Sequence, residues 1–321
     1  RSVLKISGCK KKHILGKMHY LRLVRYKNLL IIIATMFIIR YGIINAFMPL
    51  QLTFVGFCLL VLATVCISAA GYIINDYFDV NADMMNRPDT VIIGKSINRR
   101  NAIILHWVLN IIGCICGFLV SYGVGRPSYT FVFMFIAGIL WFYSTTFSRE
   151  PIVGNIVVAA LVAVVPLIET LYEVLPLLSM PIEFLADMHI KFEDILMWSL
   201  GYALFAFLLT LLREMVKDIE DVEGDRSYGR NTLPIAYGIS IARYATIGVA
   251  IIILAAIIFV QVVKLHDVYS LIYLNVLISA PMLYVIVRLC KAEDVQDYSH
   301  VSLILKITML LGLLYLFPYV F

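Results

Sequence analysis

The feature that most constrains this chain is a succession of about nine long apolar runs, separated by shorter polar stretches that hold most of its charge. Each run is close to the length that a helix rising about 1.5 Å per residue needs to cross a hydrocarbon core roughly 30 Å thick. The runs fall at 28–48, 52–74, 100–122, 129–148, 151–172, 193–213, 241–264, 267–289 and 301–320. In lipid, backbone N–H and C=O groups must be satisfied within the segment, so such runs are expected to be helices. Charged residues make up only 15% of the chain, against roughly 25% in soluble domains. The expected fold is therefore all-α, a polytopic membrane bundle of about nine transmembrane helices, with residues 28–321 forming one transmembrane domain. Pro166 and Pro281 lie inside runs and predict kinks that neighbouring helices accommodate.

The polar stretches orient the bundle. One side collects the N-terminal segment, then Arg87, Lys95, Arg99, Arg100, Arg149, Arg213, Lys217, Arg226, Arg230, Arg243, Arg288 and Lys291. The other side has Arg40, Arg126, Lys191 and Lys264. This bias makes the first side cytoplasmic. Residues 1–27 carry Lys5, Lys10, Lys11, Lys12, Lys17, Arg22, Arg25 and Lys27. They read as a basic cytoplasmic segment lying on the membrane surface, attracted to anionic lipid headgroups. The apolar stretch that follows is too long for a signal peptide and lacks a convincing cleavage site. Because the chain opens on Arg1, its natural start is expected upstream. The bilayer accounts for the basic balance, so no nucleic-acid partner is expected. The cysteines (9, 58, 66, 114, 116, 290) lack zinc-ligand spacing with histidine and read as small buried apolar residues.

Two cytoplasmic-side stretches, 75–100 and 213–230, are unusually polar for their place at the ends of apolar runs. The first opens Asn75-Asp76-Tyr77-Phe78-Asp79 and continues to Asp83; the second contains Asp218, Asp221 and Asp225. Both place aspartates at i, i+3 and i+7. On a helix turning about 100° per residue these fall within a stripe roughly 60° wide. Three like charges on one stripe repel, and at a helix C-terminal end they also meet the unfavourable pole of the macrodipole. Two such stripes call for cations. Carboxylate oxygens suit Mg²⁺, which keeps its waters and shares substrate phosphates. Two facing carboxylate sets with a diphosphate between them would assist departure of that diphosphate. The bland alternative is a solvated acidic face, and spacing alone does not separate an enzyme from a cation transporter.

Asn75-Asp76-x-x-Asp79-x-x-x-Asp83 followed by Asn86-Arg87-Pro88, then Asp218-x-x-Asp221-x-x-x-Asp225, resembles the UbiA superfamily of intramembrane prenyltransferases. The resemblance covers nearly the whole chain from about Tyr20. It implies a polyprenyl diphosphate donor, Mg²⁺ held by Asp76, Asp79 and Asp83 on one side and by Asp218, Asp221 and Asp225 on the other, and capture of an allylic cation by a lipophilic acceptor within the membrane lipids. Asn75 would orient the first motif or the diphosphate. Negative charge grows on the departing diphosphate, so cations already in place stabilise the transition state more than the ground state. Lys217 and Arg226 flank the second motif, Arg87 follows the first, Arg22 and Lys27 precede the first run, and Arg149 ends the fourth. Each would bind substrate, or else belongs only to the positive-inside bias. The resemblance also brings Tyr143 and Ser144 near the reacting carbon, where the Tyr143 ring would stabilise a cation; the alternative is an interfacial aromatic belt. Asn155 is either a substrate ligand or a polar contact between helices. Glu169 and Glu173 read as interfacial residues on the opposite side.

The run from Arg213 to Asp225, with Asn231-Thr232-Leu233-Pro234 behind it, is most similar to the branch that transfers geranylgeranyl to geranylgeranylglycerol phosphate. Asp89–Lys95 departs from that branch's Arg-Pro-rich segment. A phosphorylated acceptor would draw on Lys95, Arg99 and Arg100; an aromatic, quinone-precursor acceptor would not need them. A cation-coupled transporter is the rival class, but its carboxylates are expected near the midplane rather than at run ends. The setting is expected to be a bacterial or archaeal cell membrane, with the active site on its cytoplasmic side.

Overall fold

The computed structural model describes residues 18–181 and 190–317. The lysines of the first seventeen residues and Cys9 therefore lie outside the described residues. Among the described residues nine helices are long and apolar enough to cross a membrane: α1 Tyr26–Phe47, α2 Phe54–Asn86, α3 Arg99–Gly123, α4 Pro127–Arg149, α5 Val153–Leu177, α6 Phe192–Glu220, α7 Ile239–Val263, α8 Val268–Lys291 and α9 Val295–Leu314. The chain is a multi-pass, all-α integral membrane protein.

Three of the helix limits that differ from the apolar runs have a plain physical reason. Helices α2 and α6 continue well past the ends of their apolar runs, to Asn86 and Glu220. Hydropathy ends where the membrane does, whereas backbone hydrogen bonding carries on into the polar stretch. Helix α9 begins at Val295, six positions before its apolar run, because Asp294 and Asp297 form a reciprocal capping box that satisfies its first N–H groups.

The chain divides into two compact units, Arg1–Ala34 with Leu52–Thr145 and Thr35–Gln51 with Thr146–Phe321. In the first unit α2 is the common partner of α3 and α4. A Cβ at Gly71 would stand 2.8 Å from the end of the Leu140 side chain, so glycine lets that leucine of α4 pack directly on α2. In lipid, close packing of this kind stands in for the hydrophobic effect as the force between helices. In the second unit α6 is bordered by α5, α7 and α9. Leu212, Val216, Ile253, Met282 and Leu305 are fully buried in its core.

The second unit contains two π-turns, at Ile39–Ile44 in α1 and Leu274–Ser279 in α8. The second directly precedes Pro281, whose missing N–H makes a wider turn the economical adjustment. The irregularity expected at Pro281 thus takes the form of a π-turn, while α5 stays helical through Pro166. The first π-turn buries Arg40, which lies 2.7 Å from Glu173. Glu173 also accepts the Gln51 amide N–H at 2.6 Å. The reading of Glu169 and Glu173 as interfacial is corrected here, since both are fully buried. Glu173 tolerates burial because a guanidinium from α1 meets it. Nothing in the linear pattern marks that pairing, because the partners are over a hundred residues apart.

Candidate active site

The first carboxylate stripe is built almost wholly by one helix. Asp76, Asp79 and Asp83 lie in the last turns of α2, which runs unbroken to Asn86. Asn75 donates its amide N–H to Asp79 Oδ2 at 3.0 Å, one turn along the same helix. The other helices of this unit approach α2 elsewhere on its circumference. Gly71 and Phe78, which receive Leu140 and Trp141 of α4, lie roughly 120° around from the stripe. His106 of α3 reaches the Ala70 carbonyl on a further face. The stripe is therefore left to the segment preceding α1. There Arg25 donates to Asp76 Oδ1 at 2.7 Å, with its guanidinium 5.1 Å from the centre of the Tyr72 ring. Arg25 adopts φ +51°, a left-handed backbone unusual for a side chain of this size.

The second stripe is built by tertiary contacts. Helix α6 carries Lys217 and Asp218, then ends at Asp221, whose φ of −96° and ψ of 7° take it out of helical geometry. A short helix, Val222–Ser227, resumes the chain and carries Asp225. The expectation of three carboxylates on one continuous helical stripe is therefore corrected: Asp225 follows a break. Asp225 is buried and lies 3.4 Å from Arg230. Asp218 accepts an N–H from Asn155 of α5 at 2.8 Å. Of the two readings of Asn155, the structure displays the contact between helices.

The remaining site candidates are placed less uniformly. Arg22, Lys27, Arg149 and Arg226 are exposed, and Lys217 is half-buried. The Arg149 carbonyl accepts the Asn231 N–H at 2.9 Å, and the Arg87 N–H donates to the Asp83 carbonyl at 2.8 Å. Ser144 is buried and its hydroxyl donates to the Leu140 carbonyl of its own helix at 2.9 Å. Tyr143 is half-buried, on the flank of the α4 face that packs on α2. Arg99 donates to the Tyr77 carbonyl at 3.1 Å and lies over that residue's ring at 4.7 Å, which ties the start of α3 to the first stripe. Lys95 caps the Pro88 carbonyl at 2.7 Å.

Sequence reasoning chose Arg22 and Lys27 from the segment before α1 and passed over Arg25 as a site residue. Charge counting ranks the three alike. What separates them is the left-handed turn that aims Arg25, and no residue type there announces it.

The profile of the UbiA prenyltransferase family matches residues 28–316. A curated digeranylgeranylglyceryl phosphate synthase of Methanobrevibacter smithii is 28% identical over 295 residues, 91% of this chain and 94% of that one. Among solved structures, a digeranylgeranylglyceryl phosphate synthase shares the fold with a TM-score of 0.64 and 22% identity, covering 95% of this chain and 98% of that one. A UbiA homologue of Archaeoglobus fulgidus, bound to GPP and Mg²⁺, does so with a TM-score of 0.54 and 15% identity, covering 94% and 99%. With paired aspartate stripes on the ends of α2 and α6 and a family match across nearly its whole length, this chain belongs to the UbiA prenyltransferase family.

Proposed function

We propose that this enzyme transfers a geranylgeranyl group from its diphosphate to the hydroxyl of a prenylglycerol phosphate, using Mg²⁺ held by the two aspartate stripes. The observation that carries the reading is that each stripe has a carboxylate fixed by an asparagine amide, Asp79 by Asn75 and Asp218 by Asn155. Solvated acidic surface has no need of such holders. Oriented carboxylates are what a hard cation requires.

The donor set fits Mg²⁺. All six aspartates offer oxygen, and no thiolate or imidazole stands among them. Among the described residues no three acidic, histidine or cysteine side chains converge as a closed metal cage. Mg²⁺ shared with phosphates takes one or two carboxylates and completes its shell with water and phosphate oxygens, so an open stripe suffices. When bound, the ion neutralises charge that grows on the departing diphosphate. Asp76, Asp79 and Asp83 would hold Mg²⁺ at the first stripe and Asp218, Asp221 and Asp225 at the second, with Asn75 orienting the first. Arg25, Arg87, Lys217 and Arg226 add positive charge for the diphosphate, and Tyr143 and Ser144 remain candidates for the reacting end. The donor C1–O bond breaks with its electron pair leaving on the diphosphate. The acceptor oxygen then forms the new bond to C1 and releases its proton.

The acceptor follows from the relatives, which are named as digeranylgeranylglyceryl phosphate synthases over most of this chain's length. The Lys/Arg bias supports a cytoplasmic position for both stripes. The test is transfer from radiolabelled geranylgeranyl diphosphate by purified protein, with Mg²⁺ or EDTA, offered prenylglycerol phosphates and aromatic acids in parallel. Product that needs Mg²⁺ and forms only on the phosphorylated lipid is expected. Product on the aromatic acid alone would move the enzyme to the quinone-precursor branch.

A further inference from the structure

The corner between α4 and α5 carries three features that belong together. Ile152 adopts φ +66° and ψ −37° and closes a γ-turn, with the Val153 N–H on the Pro151 carbonyl at 2.8 Å, a strained conformation and a true outlier for a β-branched residue. Two residues on, Gly154 presses against the preceding turn: a Cβ there would stand 2.7 Å from the Phe147 carbonyl oxygen and 3.2 Å from Ser148 Cα. The next residue is Asn155, whose amide reaches Asp218 at 2.8 Å. The same turn also receives the chain beyond the second motif, through the Asn231 N–H on the Arg149 carbonyl at 2.9 Å. A strained residue, a backbone contact that excludes any side chain, and a long-range tether thus surround one amide aimed at one carboxylate. All of them lie in the second unit.

Strain of this sort persists only where the surroundings over-determine it. Here the effect is to start α5 at a fixed height against the 147–149 turn, so that the third residue of the helix meets α6. An asparagine that served only as a polar contact between helices would need neither the strained Ile152 nor the excluded Cβ at Gly154.

We propose that Asn155 is a positioning residue for Asp218: held by this corner, it occupies Asp218 Oδ2 and so leaves Oδ1 directed at the cation. The inference rests on the reading of Asp218 as an Mg²⁺ ligand. A partner that orients a ligating carboxylate acts on metal affinity, and its loss typically costs about 10- to 100-fold there.

The experiment is an Mg²⁺ titration of the full-length protein at a fixed concentration of geranylgeranyl diphosphate, read both as prenyl transfer and as the Mg²⁺-induced rise in melting temperature. Asn155→Ala is expected to raise the Mg²⁺ concentration at half-effect by roughly 10- to 100-fold in both readouts, with kcat recovering most of its value at saturating Mg²⁺. Asn155→Gln, which keeps the donor on a longer arm, should recover part of the shift. Asn155→Asp should do worse than alanine, because it sets a second carboxylate against Asp218. Gly154→Ala keeps the asparagine but opens the corner, and should move half-saturation in the same direction; it also serves if Asn155→Ala folds poorly. An unchanged half-saturation in Asn155→Ala, or a loss confined to kcat at saturating Mg²⁺, overturns the proposal. The underlying reading fails separately: there the wild type shows no Mg²⁺ response, or Asp218→Ala titrates like the wild type.

Discussion

The two aspartate stripes have the same spacing and are made in different ways. The first belongs to a single helix: α2 holds all three carboxylates, and its own Asn75 fixes Asp79 one turn away. The second is assembled. Helix α6 stops at Asp221, a new short helix carries Asp225, and the amide on Asp218 comes from α5, 63 residues away. Their charge compensation differs as well. Asp76 meets a half-exposed Arg25, whereas Asp225 is buried beside Arg230. A carboxylate pattern can therefore be written into helix periodicity, or it can be left for packing to complete. The first kind should survive disturbance of neighbouring helices; the second should not.

The largest effect that tests this comparison is on catalysis. Asp76→Ala and Asp218→Ala should each lower kcat by roughly 100- to 1,000-fold, the scale set by removing a preorganised group that stabilises developing charge. Transfer of radiolabel from geranylgeranyl diphosphate measures it. A full-rate enzyme in either variant would mean that the two stripes are not partners in one reaction.

The next effect is on stability and separates the ion pairs of the two units. Arg40 and Glu173 are both nearly inaccessible. Arg40→Met leaves a buried carboxylate without its cation and should cost about 3–5 kcal/mol. Arg25→Met removes a pair whose arginine is 36% exposed, and should cost about 1 kcal/mol or less. Denaturant unfolding in detergent would rank them, and equal losses would end the contrast between the buried pair of the second unit and the exposed pair of the first.

The smallest effects are at helix starts. Thr53 caps α2 by accepting the Gly56 N–H at 3.1 Å, and Asp267 caps α8 by accepting the Ser270 N–H at 2.8 Å. Each alanine variant should lose roughly 1 kcal/mol, and the two caps should differ in pH dependence. Bonds from the Ser270 hydroxyl and amide hold the Asp267 carboxyl below its ordinary value. Its contribution is thus present above the unfolded carboxyl's pKa, about 3.9, and is lost as pH falls through the lower folded value. The Thr53 cap has no ionisable group. Unfolding curves of the two variants against the wild type between neutral and acid pH should converge for Asp267→Ala and stay parallel for Thr53→Ala.

By itself the sequence determined the class of molecule and the place of its chemistry. Nine apolar runs force nine helices, because lipid offers the backbone no other partner. Aspartates at i, i+3 and i+7 mark a charge stripe wherever the chain stays helical, which α2 does through Asp83. Both properties are local, fixed by length, hydropathy and helical pitch. What only the tertiary structure decided depends on residues far apart in the chain. It chose Arg25 over its equally basic neighbours, by a left-handed turn. It buried Glu169 and Glu173 rather than leaving them at the interface, and a π-turn brings Arg40 to meet Glu173. It ended α6 at Asp221, and it gave Asn155 to Asp218 through a corner in which Gly154 admits no side chain. Each of these outcomes depends on a partner's position in space, which spacing along the chain does not encode.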